Sequence, residues 1–201
     1  MTETKEVEFC EEWLSLQKSQ FKIIAVVTVL SDNKRAFRGN LNDLLAEIGI
    51  KFSTVNRRNI KNALDILQES GYIKMIIDGN TYTVSLAESV ENSKNVKKIK
   101  KAWYDLIKSN KSPEGCGWDS MLKVFVLLCD CREEIITNSM IAERLGNTIS
   151  ASTVGKCIRT LLNMDFDDFR FRNKPINKVS AEGRYYCLGR EISRGMYFDK
   201  N

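Results

Sequence analysis

The chain has 201 residues and a net charge of +5, which suits one large soluble domain or two of about 100 residues each. It contains no histidine, which excludes Ser-His-Asp and Cys-His nucleophilic sites and histidine-ligated metal sites. No apolar run reaches the ~18 residues that would cross a bilayer, and the acidic N-terminus MTETKEVEFCEE lacks the features of a signal peptide. The sequence therefore predicts a cytoplasmic protein without a membrane partner or cofactor, and no constellation of residues points to an enzyme.

Six cysteines, at positions 10, 116, 129, 131, 157 and 187, are spaced neither as a small disulfide scaffold nor as a paired CxxC zinc site. A zinc ion held by Cys129 and Cys131 together with Cys116 and Cys157 is one reading. Thiols of a cytoplasmic protein more often stay reduced and pack as small hydrophobes. We therefore expect reduced cysteines that bind no metal.

The first half of the chain opens with an apolar helix over residues 18–31, for which Ser19 is the predicted N-cap. A short extended segment follows at residues 36–39. Asn40 is then suited to cap a second helix, LNDLLAEIG, which Gly49 would end.

A third, longer helix is predicted to begin after Ser53 or Thr54 and to end at Gly71. Its apolar residues, which we expect to face the core, are Val55, Ile60, Ala63, Leu64 and Leu67. The β-rich runs YIKMII and TYTVSL flank Asp78-Gly79-Asn80, a strong hairpin signal.

The second half repeats this order of elements. We predict an apolar helix over residues 119–131, capped by Asp119. The segment EIITNSMIAERLG then predicts a short strand and a helix that ends at Gly146. A Ser/Thr-capped helix is predicted in TISASTVGKCIRTLLNM. Segments 169–172 and 184–189 would form the second hairpin. At an offset of about 96 residues LLAEIG lies over MIAERLG, and the STV at 53–55 is matched with the STV at 152–154.

The excess of positive charge lies between the halves, where residues 89–112 carry 7 Lys and Arg against 2 Asp and Glu. This segment predicts either a solvated basic helix face or an arm that meets phosphates. Within it, VKKIKKAWYDLIK is expected to open the second half as an extra helix.

These elements predict a mainly α fold with small β wings, an α+β class, built from two winged helix-turn-helix domains in tandem at residues 1–90 and 91–201. A short helix, a tight turn and a longer helix form the helix-turn-helix unit, and the hairpin after it would be the wing.

The segments WLSLQKSQFKIIAVV, LNDLLAEIG and STVNRRNIKNALDILQESGYI resemble, in this order, the winged-helix domains of plasmid and phage replication initiators. The resemblance covers roughly residues 10–86, and in the second half residues 119–164. It implies that two winged helices of a bacterial mobile element bind repeated origin DNA. Many transcription regulators share the pattern, and a fold does not settle a function.

The helix at residues 53–70 is predicted to enter the major groove of double-stranded DNA with its exposed face. Arg57 and Arg58 are long enough to reach guanine, one of them reading bases and the other holding phosphate, while Asn56 and Asn59 lie nearer the packed edge. The candidate DNA contacts of this helix are Ser53, Thr54, Arg57, Arg58 and Lys61. Those of the second half are Ser152, Thr153, Lys156 and Arg159 on the helix and Arg170, Arg172 and Lys174 on the hairpin.

Predicted helices at residues 9–31 and 96–109 extend the core of each half, and such additions often pair subunits. The partners considered are therefore double-stranded DNA, a second copy in a homodimer, and the replication or transcription machinery. A solvated helix face is the plainer interpretation of the basic residues. The balanced charge of both halves also fits a module that binds protein and not DNA.

Overall fold

The computed structural model describes residues 6–30, 36–87, 95–129, 135–164, 166, 171–175, 186–192 and 196–197. Helices and antiparallel sheets are both present, which confirms the α+β class. The chain divides into two units, Met1–Lys101 and Ala102–Asn201. The division falls after Lys101, whereas the sequence placed the boundary after residue 90, because a strand at residues 96–100 pairs within the first unit.

The first unit begins with a strand and a 3₁₀ turn before its first helix. Its described elements are β1 (Glu6–Cys10), the 3₁₀ segment Glu11–Ser15, α1 (Lys18–Leu30), β2 (Ala36–Gly39), α2 (Leu41–Glu47), α3 (Thr54–Glu69), β3 (Ile73–Asp78), β4 (Thr81–Leu86) and β5 (Val96–Lys100). Strands β2, β4 and β3 form an antiparallel sheet in that order, and β1 pairs with β5.

Helix α1 lies at the centre of the first unit, with every residue from Phe21 to Val27 buried. Its first turn differs from the prediction, because Ser19 lies inside the helix. Gln17 occupies the capping position: its carbonyl accepts the Phe21 N–H at 2.9 Å, and its own N–H donates to the Gln20 side chain at 3.0 Å.

The predicted ends of α2 and α3 are confirmed. The Asn40 side chain accepts from the backbone of Asn42 and Asp43, and Ser53 Oγ accepts from Asn56 N at 3.0 Å. Gly49 and Gly71 follow the two helices with φ of 68° and 73°, a left-handed conformation that glycine adopts without steric cost. The predicted β3–β4 hairpin turns at Gly79-Asn80, since Asp78 pairs with Thr81.

The basic segment after residue 95 is not the helix that the sequence predicted. Residues Val96–Lys100 form β5, which pairs antiparallel with the acidic strand β1. Glu8 lies opposite Lys98 in the register, and their side chains form an ion pair of 3.0 Å that raises the pKa of Lys98. The lysines of this strand therefore lie beside carboxylates of the same unit, and the helix begins only at Lys101.

From its second helix onward, the second unit repeats the order that α1 to β4 show in the first. Its described elements are α4 (Lys101–Ser109), α5 (Trp118–Leu128), β6 (Ile135–Ile136), α6 (Asn138–Arg144), α7 (Ala151–Leu162), β7 (Phe171–Pro175), β8 (Tyr186–Ile192) and β9 (Met196–Tyr197). Strands β6, β8 and β7 form an antiparallel sheet in that order, the same order as β2, β4 and β3. The prediction that Asp119 caps α5 is wrong. Gly117 holds the N-cap position, and Asp119 is buried in the first turn.

The helix caps define how the two units correspond. Asn40 and Ser53 cap α2 and α3, and Thr137 and Ser150 cap α6 and α7, so both pairs are related by an offset of 97 residues. At this offset the buried residues Ile60, Ala63, Leu64 and Leu67 correspond to Cys157, Thr160, Leu161 and Met164, which are also buried. The two STV triplets are therefore not equivalent, because Ser152 lies inside α7 while Ser53 is a cap.

This correction predicts different stabilities for two serine variants of α7. Ser150 Oγ accepts from Thr153 N at 3.2 Å, whereas the Ser152 side chain is exposed in the first turn. Loss of an N-cap costs about 1 kcal/mol, so Ser150→Ala should lower the free energy of unfolding by that amount. Ser152→Ala is the matched control and should change it by less than ~0.5 kcal/mol. Urea unfolding followed by circular dichroism measures both, and equal stabilities would contradict the assignment.

Each unit also carries a buried lysine that reaches the end of the short helix. Lys22 of α1 donates from Nζ to the carbonyl of Ile48, the C-cap of α2, at 3.4 Å. Lys123 of α5 donates to Thr148 Oγ1 at 2.9 Å, and that hydroxyl donates to the carbonyl of Leu145, the C-cap of α6, at 2.8 Å. A positive charge at a helix C-terminus is favourable, since the last carbonyls carry partial negative charge.

Candidate nucleic-acid interface

Helix α3 has one buried apolar side, and its opposite side is exposed to solvent. Ile60, Ala63, Leu64 and Leu67 are its buried residues and share one side. Arg58 and Asn62 are exposed, and the helical repeat of 3.6 residues places them on the side opposite to this apolar stripe. The five candidates predicted on this helix, Ser53, Thr54, Arg57, Arg58 and Lys61, are all exposed.

The two arginines occupy different positions. Arg57 lies toward the edge of the buried stripe, and its Nε–H donates to Asn42 Oδ1 of α2 at 2.8 Å. The two terminal nitrogens of the guanidinium carry four further N–H donors in addition to the one that this bond uses. Arg58 lies on the face directed away from the core. The sequence predicted different roles for the two arginines without saying which residue has which role, and the structure places them differently.

Arg57 also lines an open pocket of about 360 Å³ at the start of α2. The pocket brings together the first residues of α2, the first turns of α3 and the turn of the β3–β4 hairpin. Its lining residues are Asn40, Leu41, Asn42, Arg57, Asn80 and Tyr82. Amide, phenol and guanidinium groups donate hydrogen bonds, and no carboxylate is among these residues, so the pocket suits an oxygen-rich anion. The grouping joins residues 40 positions apart, and no local signal in the sequence points to it.

The charge around the first half of α3 is of one sign. Residues 48–64 contain Lys51, Arg57, Arg58 and Lys61 and no Asp or Glu. All four cations are exposed. The carboxylates of the helix come later, at Asp65 and Glu69. A concentrated cationic surface of this kind attracts polyanions.

Sequence reasoning misplaced part of the exposed face. Val55, predicted to face the core, is 56% exposed, so that prediction is wrong. Asn59, predicted nearer the packed edge, is exposed, and so is Asn62, which was not a candidate. Val55 lies five residues before Ile60, and the helical repeat places it on the side that carries Arg58 and Asn62, although its apolar character suggested the core. Asn56 is half-buried, as expected, and donates to the carbonyl of Lys51 at 2.7 Å.

Helix α7 presents fewer exposed donors than α3. Ser152 and Lys156 are exposed, while Thr153 is half-buried and its hydroxyl lies 3.0 Å from Ser150 Oγ. Arg159 is exposed and forms an ion pair of 2.9 Å with Glu114, whose pKa this hydrogen bond lowers. A phosphate would therefore compete with Glu114 for Arg159.

Gly155 brings α7 close to α6. It is buried, and a Cβ atom at this position would lie 2.9 Å from Asn138 Nδ2. The glycine thus serves the packing of the two helices. Of the hairpin candidates, Arg170 lies outside the described residues. Arg172 and Lys174 lie in β7 opposite Gly189 and Cys187, and their side chains are outside the described part.

Cys10, Cys116, Cys129 and Cys157 form no disulfide bond, and Cys131 lies outside the described residues. Burial raises the pKa of the Cys157 thiol, which makes it a poor nucleophile and metal ligand. Within the described ranges, no group of three Cys, Asp or Glu residues could hold a metal ion. Of the helices described, none is long and apolar enough to cross a membrane.

Comparison with protein families, curated proteins and solved structures finds no significant match to this chain. The resemblance to replication initiators therefore depends on the sequence motifs alone.

Proposed function

We propose that the chain binds double-stranded DNA in a sequence-specific manner through two winged helix-turn-helix domains and acts as a replication initiator of a plasmid, phage or other mobile element. The observation that carries this proposal is the exposed face of α3. Its first turns collect three cations beside the capping residue Ser53 and the exposed Thr54, with no carboxylate before Asp65.

The order of elements supports the winged-helix reading. In each unit a buried helix, a short strand, a short helix, a longer helix and two strands follow one another. The short strand of this series pairs with its final strand, β2 with β4 in the first unit and β6 with β8 in the second. The loop of residues 48–53 between α2 and α3 is short enough for a helix-turn-helix pair. The β3–β4 hairpin then takes the place of a wing.

The geometry supports a specific mode of contact. With α3 in the major groove, Arg58 and Asn62 face the base edges, since they project away from the core. Arg57, held against α2 beside the pocket, faces a phosphate. Ser53 and Thr54 at the start of the helix suit a second phosphate, because free N–H groups and a partial positive charge lie there.

A role in initiation follows from the resemblance alone, and a transcription regulator would use the same contacts. Repeated binding sites beside the gene would favour initiation, and a single operator would favour regulation. A protein-binding module is the alternative that one observation favours. Ile76 and Ile77 of the hairpin are 69% and 50% exposed. Exposed apolar side chains of this kind suit contact with another protein better than contact with a phosphate.

Selection from a randomised duplex library, followed by binding measurements over a salt series, tests DNA binding. Each phosphate that is neutralised contributes about −0.9 to the slope of log K against log salt, so three cations predict a slope of about −3. The variant carrying Arg57→Ala, Arg58→Ala and Lys61→Ala should lose most of this affinity. Lys18→Ala removes an exposed cation outside α3 and should bind like the parent. If no duplex is enriched, the protein-binding module becomes the better explanation.

A further inference from the structure

One apolar side chain stands among the polar residues at the start of α3. Val55 is 56% exposed in the first turn of the helix. It lies three, four and seven residues before Arg58, Asn59 and Asn62, which are all exposed, so the four side chains share one face. A valine with more than half of its surface exposed contributes little to stability, since it buries little apolar area and is a weaker helix former than Ala.

The charge around Val55 indicates what could cover it. Lys51 precedes α3, Arg57, Arg58 and Lys61 lie in its first two turns, and residues 48–64 contain no carboxylate. This positive charge favours an anionic occupant that also presents a small apolar group. Duplex DNA satisfies both conditions in its major groove, where the 5-methyl group of thymine projects beside the base edges.

We propose that Val55 contacts the 5-methyl group of a thymine in the DNA target and so contributes to the choice of sequence. The inference rests on the proposed function, because it requires α3 to enter the major groove. A helix rises about 1.5 Å per residue, so Val55 and Arg58 are about 4.5 Å apart along the axis. Base pairs are about 3.4 Å apart, so the thymine lies within one or two steps of the base that Arg58 reads.

Uracil tests the contact directly, because it differs from thymine only by the missing methyl group. The probe is the duplex enriched by selection from a randomised library, with each thymine near the consensus replaced in turn by uracil. At one position, the parent protein should lose about four-fold in affinity, the effect of removing one buried methyl-sized group. At that position, Val55→Ser should bind the thymine and uracil duplexes equally.

Two controls separate this contact from general effects. Ile66→Ser changes another exposed apolar residue, 46% exposed and three turns further along α3, and should keep the full sensitivity to uracil. Val55→Ser should also retain the parental salt slope and circular dichroism spectrum, since Val55 neither carries charge nor packs in the core.

The outcomes separate the inference from the proposed function. If the parent binds with a steep salt dependence but tolerates uracil at every position, the thymine contact is wrong and DNA binding stands. The contact is equally wrong if Val55→Ser keeps the parental loss at the sensitive position. If selection enriches no duplex, the proposed function fails and the contact fails with it.

Discussion

Arg58→Ala should lower affinity for the selected duplex by about 1–3 kcal/mol and relax the sequence preference at one base pair. Arg58 lies on the face of α3 opposite to Ile60 and Leu64, so its guanidinium is the one that can approach a guanine O6 and N7 pair. A mismatch at that base pair should weaken the parent and leave the affinity of the variant almost unchanged.

Arg57→Ala should behave differently. Its side chain is held by Asn42 at 2.8 Å beside the pocket that joins α2 to the hairpin, so we expect it to contact a phosphate. The variant should bind selected and scrambled duplexes more weakly by the same factor, and its salt slope should fall by about one unit.

Binding of both variants to selected, single-mismatch and scrambled duplexes over a salt series measures these effects. Arg57→Lys is the matched control, because it keeps the charge and should restore much of the salt slope. If Arg57→Ala changed the sequence preference and Arg58→Ala did not, α3 would enter the groove with a different face from the one that carries Arg58. If neither changed binding, α3 would not be the reading element.

Lys123 should make the stability of the second unit depend on pH. Burial in α5 lowers the pKa of Lys123 from 10.5 to about 8, and the nearby Asp119 only partly opposes this shift. The unfolded chain then binds the proton more tightly than the folded one at pH values between about 8 and 10.5. The free energy of unfolding should therefore rise with pH across this window, by roughly 2–3 kcal/mol, and level off above it.

Lys123→Met keeps the length of the side chain and removes the ionisable group, so this rise should disappear. At pH 7 the variant should be as stable as the parent or more stable, because burying a cation costs free energy of solvation. Lys111→Met removes an exposed lysine of the same unit and should retain the parental pH dependence. Urea unfolding between pH 7 and 10.5 measures all three proteins. If the free energy of unfolding of Lys123→Met still rose with pH as in the parent, groups other than Lys123 would cause the rise.

The sequence alone determined the parts of the fold that depend on neighbouring residues. Asn40 and Ser53 cap their helices as predicted, and Gly49, Gly71 and Gly146 end three of them. These signals are local, because a cap satisfies N–H groups within three residues and glycine alone adopts positive φ at little cost. The burial of α1 was also predictable, since its apolar run has no polar face.

Only the tertiary structure decided the rest. Residues 96–100 form a strand because the acidic strand β1, some 90 residues earlier, offers backbone partners and opposite charges, and no local pattern contains that information. The different positions of Arg57 and Arg58 likewise depend on where α2 lies. Residues adjacent in sequence acquire different roles when a packed neighbour holds one of them and leaves the other facing solvent.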